Sequence, residues 1–150
     1  MTADGRALHV DHVSSISAPA VEPRRRRLRP RHLWVIPGLA IAIYANALAG
    51  DHGVGIVPLL VFAIVPHLTV LLGIGQPHAP GQMAARAVPL FNVMHHPVPP
   101  LVLVGFAAAG VLSPFWLVGG LAWFSHIVMD LAVNHGLRTP DGWRRSWWAR

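Results

Sequence analysis

The sequence predicts an all-α integral membrane bundle of four transmembrane helices with both termini in the cytoplasm. Hydrophobic residues make up 53% of the 150 residues and charged residues only 12%, whereas a soluble domain carries about 25% charged residues. Four apolar stretches, separated by turns rich in glycine and proline, follow a basic N-terminal region. The chain has no cysteine, which excludes disulfides and thiolate metal sites.

Residues 1–30 are predicted to form a disordered basic tail, because they hold no sustained apolar periodicity. Six arginines lie between Arg24 and Arg31, immediately before the first apolar stretch. A basic run can bind nucleic acid, but its position beside a span favours a positive-inside anchor that contacts anionic lipid headgroups. The lipid bilayer is therefore the expected partner, and nucleic acid is disfavoured.

The predicted membrane domain covers residues 31–136 and crosses the bilayer four times. The apolar stretches are residues 33–50, 54–74, 84–112 and 115–133, and a crossing needs about 20 residues. The third stretch is interrupted by Pro97, Pro99 and Pro100. These prolines remove backbone donors and predict a kink, which should face the bundle interior because irregular backbone is not tolerated against lipid.

The distribution of arginine predicts the orientation. Residues 137–150 carry four arginines and three tryptophans and are predicted to form an interfacial tail. Four crossings place both tails and the loop with Arg86 on one side, and the short turns at Asp51 and Ser113 carry no arginine. That basic side is cytoplasmic by the positive-inside rule. All twelve basic residues are arginine, which suggests a GC-rich bacterial genome and a multi-pass protein of the inner membrane.

Ionisable residues within the apolar stretches are the candidate functional residues. His126 and Asp130 lie four residues apart in the fourth stretch, so their side chains share a helix face, and Asn134 would continue this stripe. A charged group at the bilayer centre costs roughly 2.5–3.5 kcal/mol by insertion scales. A charged group that is retained at this depth usually has an interaction partner or a function.

Three of the stretches place histidine at a similar depth. A rise of 1.5 Å per residue puts His67, His95, His96 and His126 on the order of 10–18 Å inside the cytoplasmic boundary. Asn92 shares a face with His95 or with His96. The proline break leaves open which of these two histidines points inward.

Three interpretations of this cluster remain open. The groups can hydrogen-bond across helices as structural contacts, each worth roughly 0.6–2 kcal/mol. They can bind a divalent transition metal such as Zn²⁺, which suits neutral imidazole and one carboxylate, and an open position could activate water for hydrolysis. They can also relay protons or ions as part of a small transporter, which with four spans would require a homo-oligomer. The candidate ligands are His67, His95, His96, His126 and Asp130, with Asn92 and Asn134 beside them.

Three motifs resemble a known family. They are Pro-Leu-Phe-Asn-Val-Met-His-His at residues 89–96, Trp-Phe-Ser-His-Ile-Val-Met-Asp at 123–130 and Gly-Leu-Arg-Thr-Pro-Asp-Gly-Trp at 136–143. In this order and spacing they resemble the domain-of-unknown-function family 4260, small multi-pass bacterial membrane proteins, over about residues 31–143. The resemblance implies a membrane location and supplies no activity.

Two further likenesses bear on the cluster. The family tends to have Pro-Asp-Leu where this chain has Pro66-His67-Leu68, an exchange that a metal ligand could survive but a role requiring negative charge could not. The Ser-His-x-x-x-Asp-Leu pattern at residues 125–131 is similar to one in membrane-bound metal-dependent hydrolases. It keeps a hydrolase as the alternative to an uncharacterised structural or metal-binding membrane protein.

Overall fold

A computed structural model describes residues 30–145, and within them the fold is all-α, as predicted. Short 3₁₀ segments precede the first helix, at Pro30–Trp34, and follow the second, at Thr69–Gly73. The described residues form no β-strand beyond one isolated bridge. The helices are α1 (Val35–Asp51), α2 (Val57–Leu68), α3 (Val88–Met94), α4 (Val98–Ala108) and α5 (Pro114–Ala132).

The central helix is α5, which contacts α1, α2 and α4. It begins with proline at its first position, where the missing N–H costs nothing, and it follows Ser113 in extended conformation. It ends before Asn134, which adopts a left-handed conformation with φ 60°. Asparagine tolerates this conformation better than most residues, and it turns the chain back over the end of α5.

Glycines on α1 and α5 allow the helices to approach closely. A Cβ at Gly38 would lie 2.6 Å from Met129 Cγ, and one at Gly120 would lie 2.8 Å from Val104 Cγ2. A Cβ at Gly119 would meet the ring of Phe62. Small residues at helix contacts are typical of membrane bundles, where packing takes the place of a hydrophobic driving force.

The same contacts give the helix directions. The start of α1 lies against the second half of α5, where Gly38 faces Ser125. Because α1 also packs extensively on α5, the rest of α1 must run back along it, so these two helices are antiparallel. By contrast, α2 runs parallel to α5, because Phe62 meets Gly119 and His67 meets His126 further along both helices.

Helix length and composition indicate a membrane protein. Arg31–Asp51 and Pro114–Ala132 are long and apolar enough to cross, and α3 with α4 makes a third candidate if this bent pair is one span. The remaining apolar segment, Val57–Gly73, is shorter. Many large apolar side chains are exposed, including Ile36 at 67% and Ile74 at 77%, as expected for side chains that face lipid.

The predicted break in the third stretch is confirmed. The chain bends by 41° between α3 and α4. At the break His95 is only 3% exposed and Pro100 is fully buried, whereas His96 is exposed. One side of the break therefore packs against protein and the other does not.

The chain after α5 folds back on the bundle. Residues 137–145 form a tight turn, here called the C-terminal hairpin, closed by the bridge between Arg138 and Arg144. The backbone N–H of Met83 donates to the carbonyl of Gly142 at 2.9 Å. Gly142 has φ 89°, and a Cβ there would collide with the Met83 carbonyl, so only glycine fits.

Two predicted terminal segments fall partly or wholly outside the described residues. The tail of residues 1–30 lies outside them except for Pro30, and so do the arginines from Arg24 to Arg29 that are expected to contact lipid headgroups. Of the predicted interfacial tail, residues 146–150 lie outside. The membrane contact of both segments stays a prediction.

Candidate metal centre

Three imidazoles from three helical segments meet at one point in the bundle. His67 lies at the end of α2, His95 lies in the break between α3 and α4, and His126 lies on α5. One ring nitrogen from each lies within 4.8 Å of the other two. The ring centroids of His67 and His126 are 4.4 Å apart.

The carboxylate of Asp130 faces two of these rings. Its Oδ2 atom lies 3.4 Å from His95 Nε2 and 3.5 Å from His126 Nε2. All three atoms are buried, and none has a hydrogen-bond partner within the described part of the chain. Buried polar atoms are nearly always paired, so three unpaired atoms pointing at one space require a physical explanation.

The orientation of His95 is set by its own turn of helix. Its Nδ1 lies 2.8 Å from the carbonyl oxygen of Phe91, and its ring stacks on the Phe91 ring at a centroid distance of 3.8 Å. Because a carbonyl can only accept, Nδ1 carries the hydrogen and Nε2 keeps a free lone pair. This is the arrangement that backbone carbonyls impose on metal-binding histidines.

The structure brings together four of the residues singled out from the sequence, namely His67, His95, His126 and Asp130. His96 is exposed, and its Nδ1 accepts a hydrogen bond of 3.3 Å from the backbone N–H of Val98. The inward histidine is therefore His95, a choice that the sequence left open.

The two asparagines lie outside this group. Asn92 binds the backbone of Arg138 twice, donating to its carbonyl at 2.9 Å and accepting from its N–H at 2.7 Å. Asn134 lies past the end of α5, so the predicted stripe of His126, Asp130 and Asn134 stops at Asp130. The expected stripe required α5 to continue two residues beyond Ala132.

The comparison with protein families identifies the fold family. The model for the domain of unknown function DUF4260 matches residues 33–148. The chain belongs to the DUF4260 family. That family has no established function and so assigns no activity to the site. No curated protein and no solved structure matches the chain.

Within this DUF4260 chain, sequence reasoning missed His135. Its Nδ1 lies 4.0 Å from Asp130 Oδ1, because the turn at Asn134 brings it back over α5. Burial, together with the nearby positive charges of Arg144 and Arg138, lowers the pKa of His135 below its ordinary value. No sequence pattern signals this approach, since it depends on a chain reversal rather than on helical spacing.

Sequence reasoning also missed the role of Phe91 and Arg138. The Arg138 guanidinium carbon lies 5.6 Å from the centroid of the Phe91 ring, and Phe91 in turn stacks on His95. Both residues lie in the motifs that carry the DUF4260 resemblance, at residues 89–96 and 136–143, and those motifs were the available signal.

Two cavities border the cluster in this DUF4260 chain. One of about 130 Å³ is lined by His67, His95 and Asp130, and also by Arg138 from the C-terminal hairpin. Another, of about 300 Å³, lies between α1, α2 and α5, is mostly apolar and reaches His126. The first cavity has room for water beside the unpaired atoms.

Two other polar side chains of α5 make ordinary hydrogen bonds between helices. Ser125 Oγ donates to the Gly38 carbonyl at 2.7 Å and so links α5 to α1. Trp123 Nε1 donates to the Met94 carbonyl at 2.7 Å, at the end of α3. These bonds account for helix association without the histidines.

Proposed function

We propose that this chain is a four-span protein of the bacterial inner membrane that holds a divalent transition metal, such as Zn²⁺, in the cytoplasmic half of the bundle. Support for four spans comes from the helix directions, because α1 and α5 are antiparallel whereas α2 and α5 are parallel. The arginines of the described residues lie before α1, before α3 and after α5, ends that such a topology places together on the cytoplasmic side.

The observation that carries the metal proposal is the convergence of three unpaired buried atoms, His95 Nε2, His126 Nε2 and Asp130 Oδ2. With metal–ligand distances of 2.0–2.2 Å, ligands of a tetrahedral ion are about 3.4 Å apart. The Asp130 oxygen lies 3.4 and 3.5 Å from the two nitrogens. These separations match the spacing of ligands around one ion.

The contact between His95 and Asp130 also disfavours a purely structural role. The Nε2 lone pair of His95 faces a carboxylate oxygen, and two acceptors repel unless a cation or a proton lies between them. Structural contacts between helices elsewhere in this chain are ordinary hydrogen bonds of 2.7 Å. A metal ion satisfies all three buried atoms at once.

His67 completes the proposed ligand set. It is more exposed than the other two histidines, and its ring nitrogen lies within 4.8 Å of theirs. Because an exposed side chain can change its rotamer, we expect the His67 ring to reorient towards the ion when it binds.

The test is metal analysis of the protein purified in detergent, alone and with added Zn²⁺. Wild type should bind Zn²⁺, and Asp130→Asn, which keeps the side-chain shape, should lose it. His67→Ala, at an exposed position that the fold tolerates, should bind at least about tenfold more weakly. His96→Ala is the matched control, because it removes an adjacent exposed imidazole and should leave binding unchanged.

Two results would overturn the metal proposal. One is wild-type protein that is metal-free and has no affinity for added Zn²⁺. The other is equal loss of binding in His96→Ala and Asp130→Asn. Circular dichroism and size-exclusion profiles of each variant separate loss of the site from loss of the fold.

A second candidate function, a metal-dependent hydrolase, is favoured by the cavity of about 130 Å³ beside the proposed ligands. Catalytic zinc sites have three protein ligands and a water, whereas structural sites are closed. In this alternative only three of the four proposed residues bind the ion. Zn²⁺-loaded protein should cleave a chromogenic ester, and chelation or Asp130→Asn should abolish the cleavage. Metal binding without turnover of carboxylic or phosphate esters would instead identify a structural metal.

A further inference from the structure

A third cavity is basic and lies beside the cavity of about 130 Å³ that borders the proposed metal centre. Its volume is about 260 Å³, and the C-terminal hairpin contributes Arg138 and Arg144 to its lining, with His78 from the loop before α3. Arg138 lines both this cavity and the one that contains His95 and Asp130. The basic cavity and the proposed metal centre are therefore neighbours that share a wall.

Arg138 is a buried cation without a matching anion among the described residues. It is only 9% exposed, its Nε has no hydrogen-bond partner, and its Nη1 makes only a long contact of 3.4 Å with the Gly81 carbonyl. A buried charge is unfavourable unless it is paired. Burial and the neighbouring Arg144 lower the pKa of Arg138, although a guanidinium stays charged in proteins.

The fold holds Arg138 and Arg144 directly opposite one another. They form the antiparallel bridge of the C-terminal hairpin, and like charges at such a position repel. The N–H groups of Thr139 and Arg145 donate across the hairpin to the carbonyls of Trp143 and Leu137, both at 2.8 Å, and hold the two arginines opposite one another. An anion between the two guanidinium groups would turn this repulsion into attraction.

We infer that Arg138 and Arg144, with His78 at the rim, bind the phosphate group of a ligand next to the metal centre. Two guanidinium groups supply the charge and the paired N–H donors that a phosphate dianion matches. Phe91 connects the two sites, because its ring contacts the Arg138 guanidinium and also stacks on His95.

The phosphate site gives the proposed function a substrate class. Phosphate binding itself does not depend on the metal, and only the chemistry at the metal rests on the proposed function. In the hydrolase alternative, the substrate is a phosphate ester. Water oxygen bonds to phosphorus, the bond from phosphorus to the alcohol oxygen breaks, and one water proton passes to the alcohol while the other stays on phosphate. No oxidant or reductant is needed.

The anion site is tested on chelator-treated protein, so that the result does not depend on metal. The first probe is inorganic phosphate in detergent, at constant ionic strength adjusted with chloride. The second is nanodiscs of phosphatidylcholine with or without phosphatidic acid. Thermal unfolding and titration calorimetry report binding in both arms.

We expect phosphate-dependent stabilisation of wild type in at least one arm. Arg144→Gln, at an exposed position, should weaken that binding about 10- to 100-fold, the effect of losing charge-assisted hydrogen bonds. Arg145→Gln is the matched control, because it removes the same charge from the next residue, which does not line the cavity. Arg138→Lys keeps the charge but loses the paired N–H donors, and should weaken binding as well.

The arms also identify the source of the phosphate. Stabilisation by inorganic phosphate supports a soluble ester, and stabilisation only by phosphatidic acid supports a lipid headgroup. No stabilisation in either arm, or equal losses in Arg144→Gln and Arg145→Gln, would overturn the inference. Phosphate binding in a protein that does not bind Zn²⁺ would remove the metal proposal and leave this site standing.

Discussion

Two pairs of polar side chains on α5 differ in how their hydrogen-bonding atoms are used. Trp123 and Ser125 each donate to a backbone carbonyl of another helix at 2.7 Å. His126 and Asp130 direct buried atoms at one another and at His95 without a hydrogen bond. The first pair accounts for the association of the helices. The second pair leaves buried polar atoms unpaired around a space that a ligand such as a metal ion can occupy.

The largest expected effect is the loss of metal-dependent stability in Asp130→Asn. Zn²⁺ at about 100 times its Kd should raise the free energy of unfolding of wild type by about 2.7 kcal/mol, and the variant should gain nothing. Without metal, the variant should be as stable as wild type or more so, because an amide can donate to His95 Nε2. Unfolding in detergent with chelator or with Zn²⁺ measures both effects.

A structural role for the cluster predicts the opposite pattern. Asp130→Asn would then unfold more easily than wild type in chelator, and Zn²⁺ would stabilise neither protein. That result would mean that His126 and Asp130, like Ser125, serve only to hold helices together.

The next largest effect is expected at Asn92, which holds the C-terminal hairpin by two hydrogen bonds to Arg138. Asn92→Ala should lower the free energy of unfolding by about 2 kcal/mol, because it removes both bonds and leaves part-buried backbone groups unpaired. Proteolysis at residues 137–145 should also accelerate. Asn46→Ala, at an exposed position on α1, should show neither change, and an unaltered hairpin in Asn92→Ala would contradict this role.

A smaller loss is expected for Ser125→Ala, about 1 kcal/mol in the free energy of unfolding, from one hydrogen bond between α5 and α1. Zn²⁺ binding should not change, which equilibrium dialysis can measure. Loss of Zn²⁺ in this variant would mean that the two polar groups of α5 are not separate.

The smallest effect is expected for His96→Ala. An exposed side chain with one local hydrogen bond should contribute within about 0.5 kcal/mol of zero to the free energy of unfolding. Denaturation midpoints of His96→Ala and His95→Ala compare the two adjacent imidazoles directly. A larger loss in His96→Ala would show that the inward residue is His96.

The parts of this molecule that follow helical periodicity could be predicted from the sequence. The spacing of His126 and Asp130 placed them on one face, and the prolines placed the bend at His95. A shared depth for histidines on three segments was also expected, and three of the four meet. These inferences need only the rise and repeat of a helix.

The remaining parts depend on where a helix ends and how the chain reverses. Asn134 was expected to extend the stripe, but its left-handed conformation ends it. The same turn brings His135 within 4.0 Å of Asp130 and places Arg138 in the cavity that Asp130 lines. Sequence spacing does not encode either placement. The choice between His95 and His96 likewise depends on the local geometry of the break, because helical phase is lost there.

The shortness of Val57–Gly73 has a consequence for the surrounding lipid. Its 12 α-helical and five 3₁₀ residues reach about 28 Å, slightly less than a typical hydrocarbon core of about 30 Å. In a four-span topology this segment must stand nearly upright, or the bilayer must thin around it. Thinning would bring the cytoplasmic headgroups closer to His67, which lies six residues before the end of this segment, and would shorten the path by which water reaches the cluster from the side of the protein.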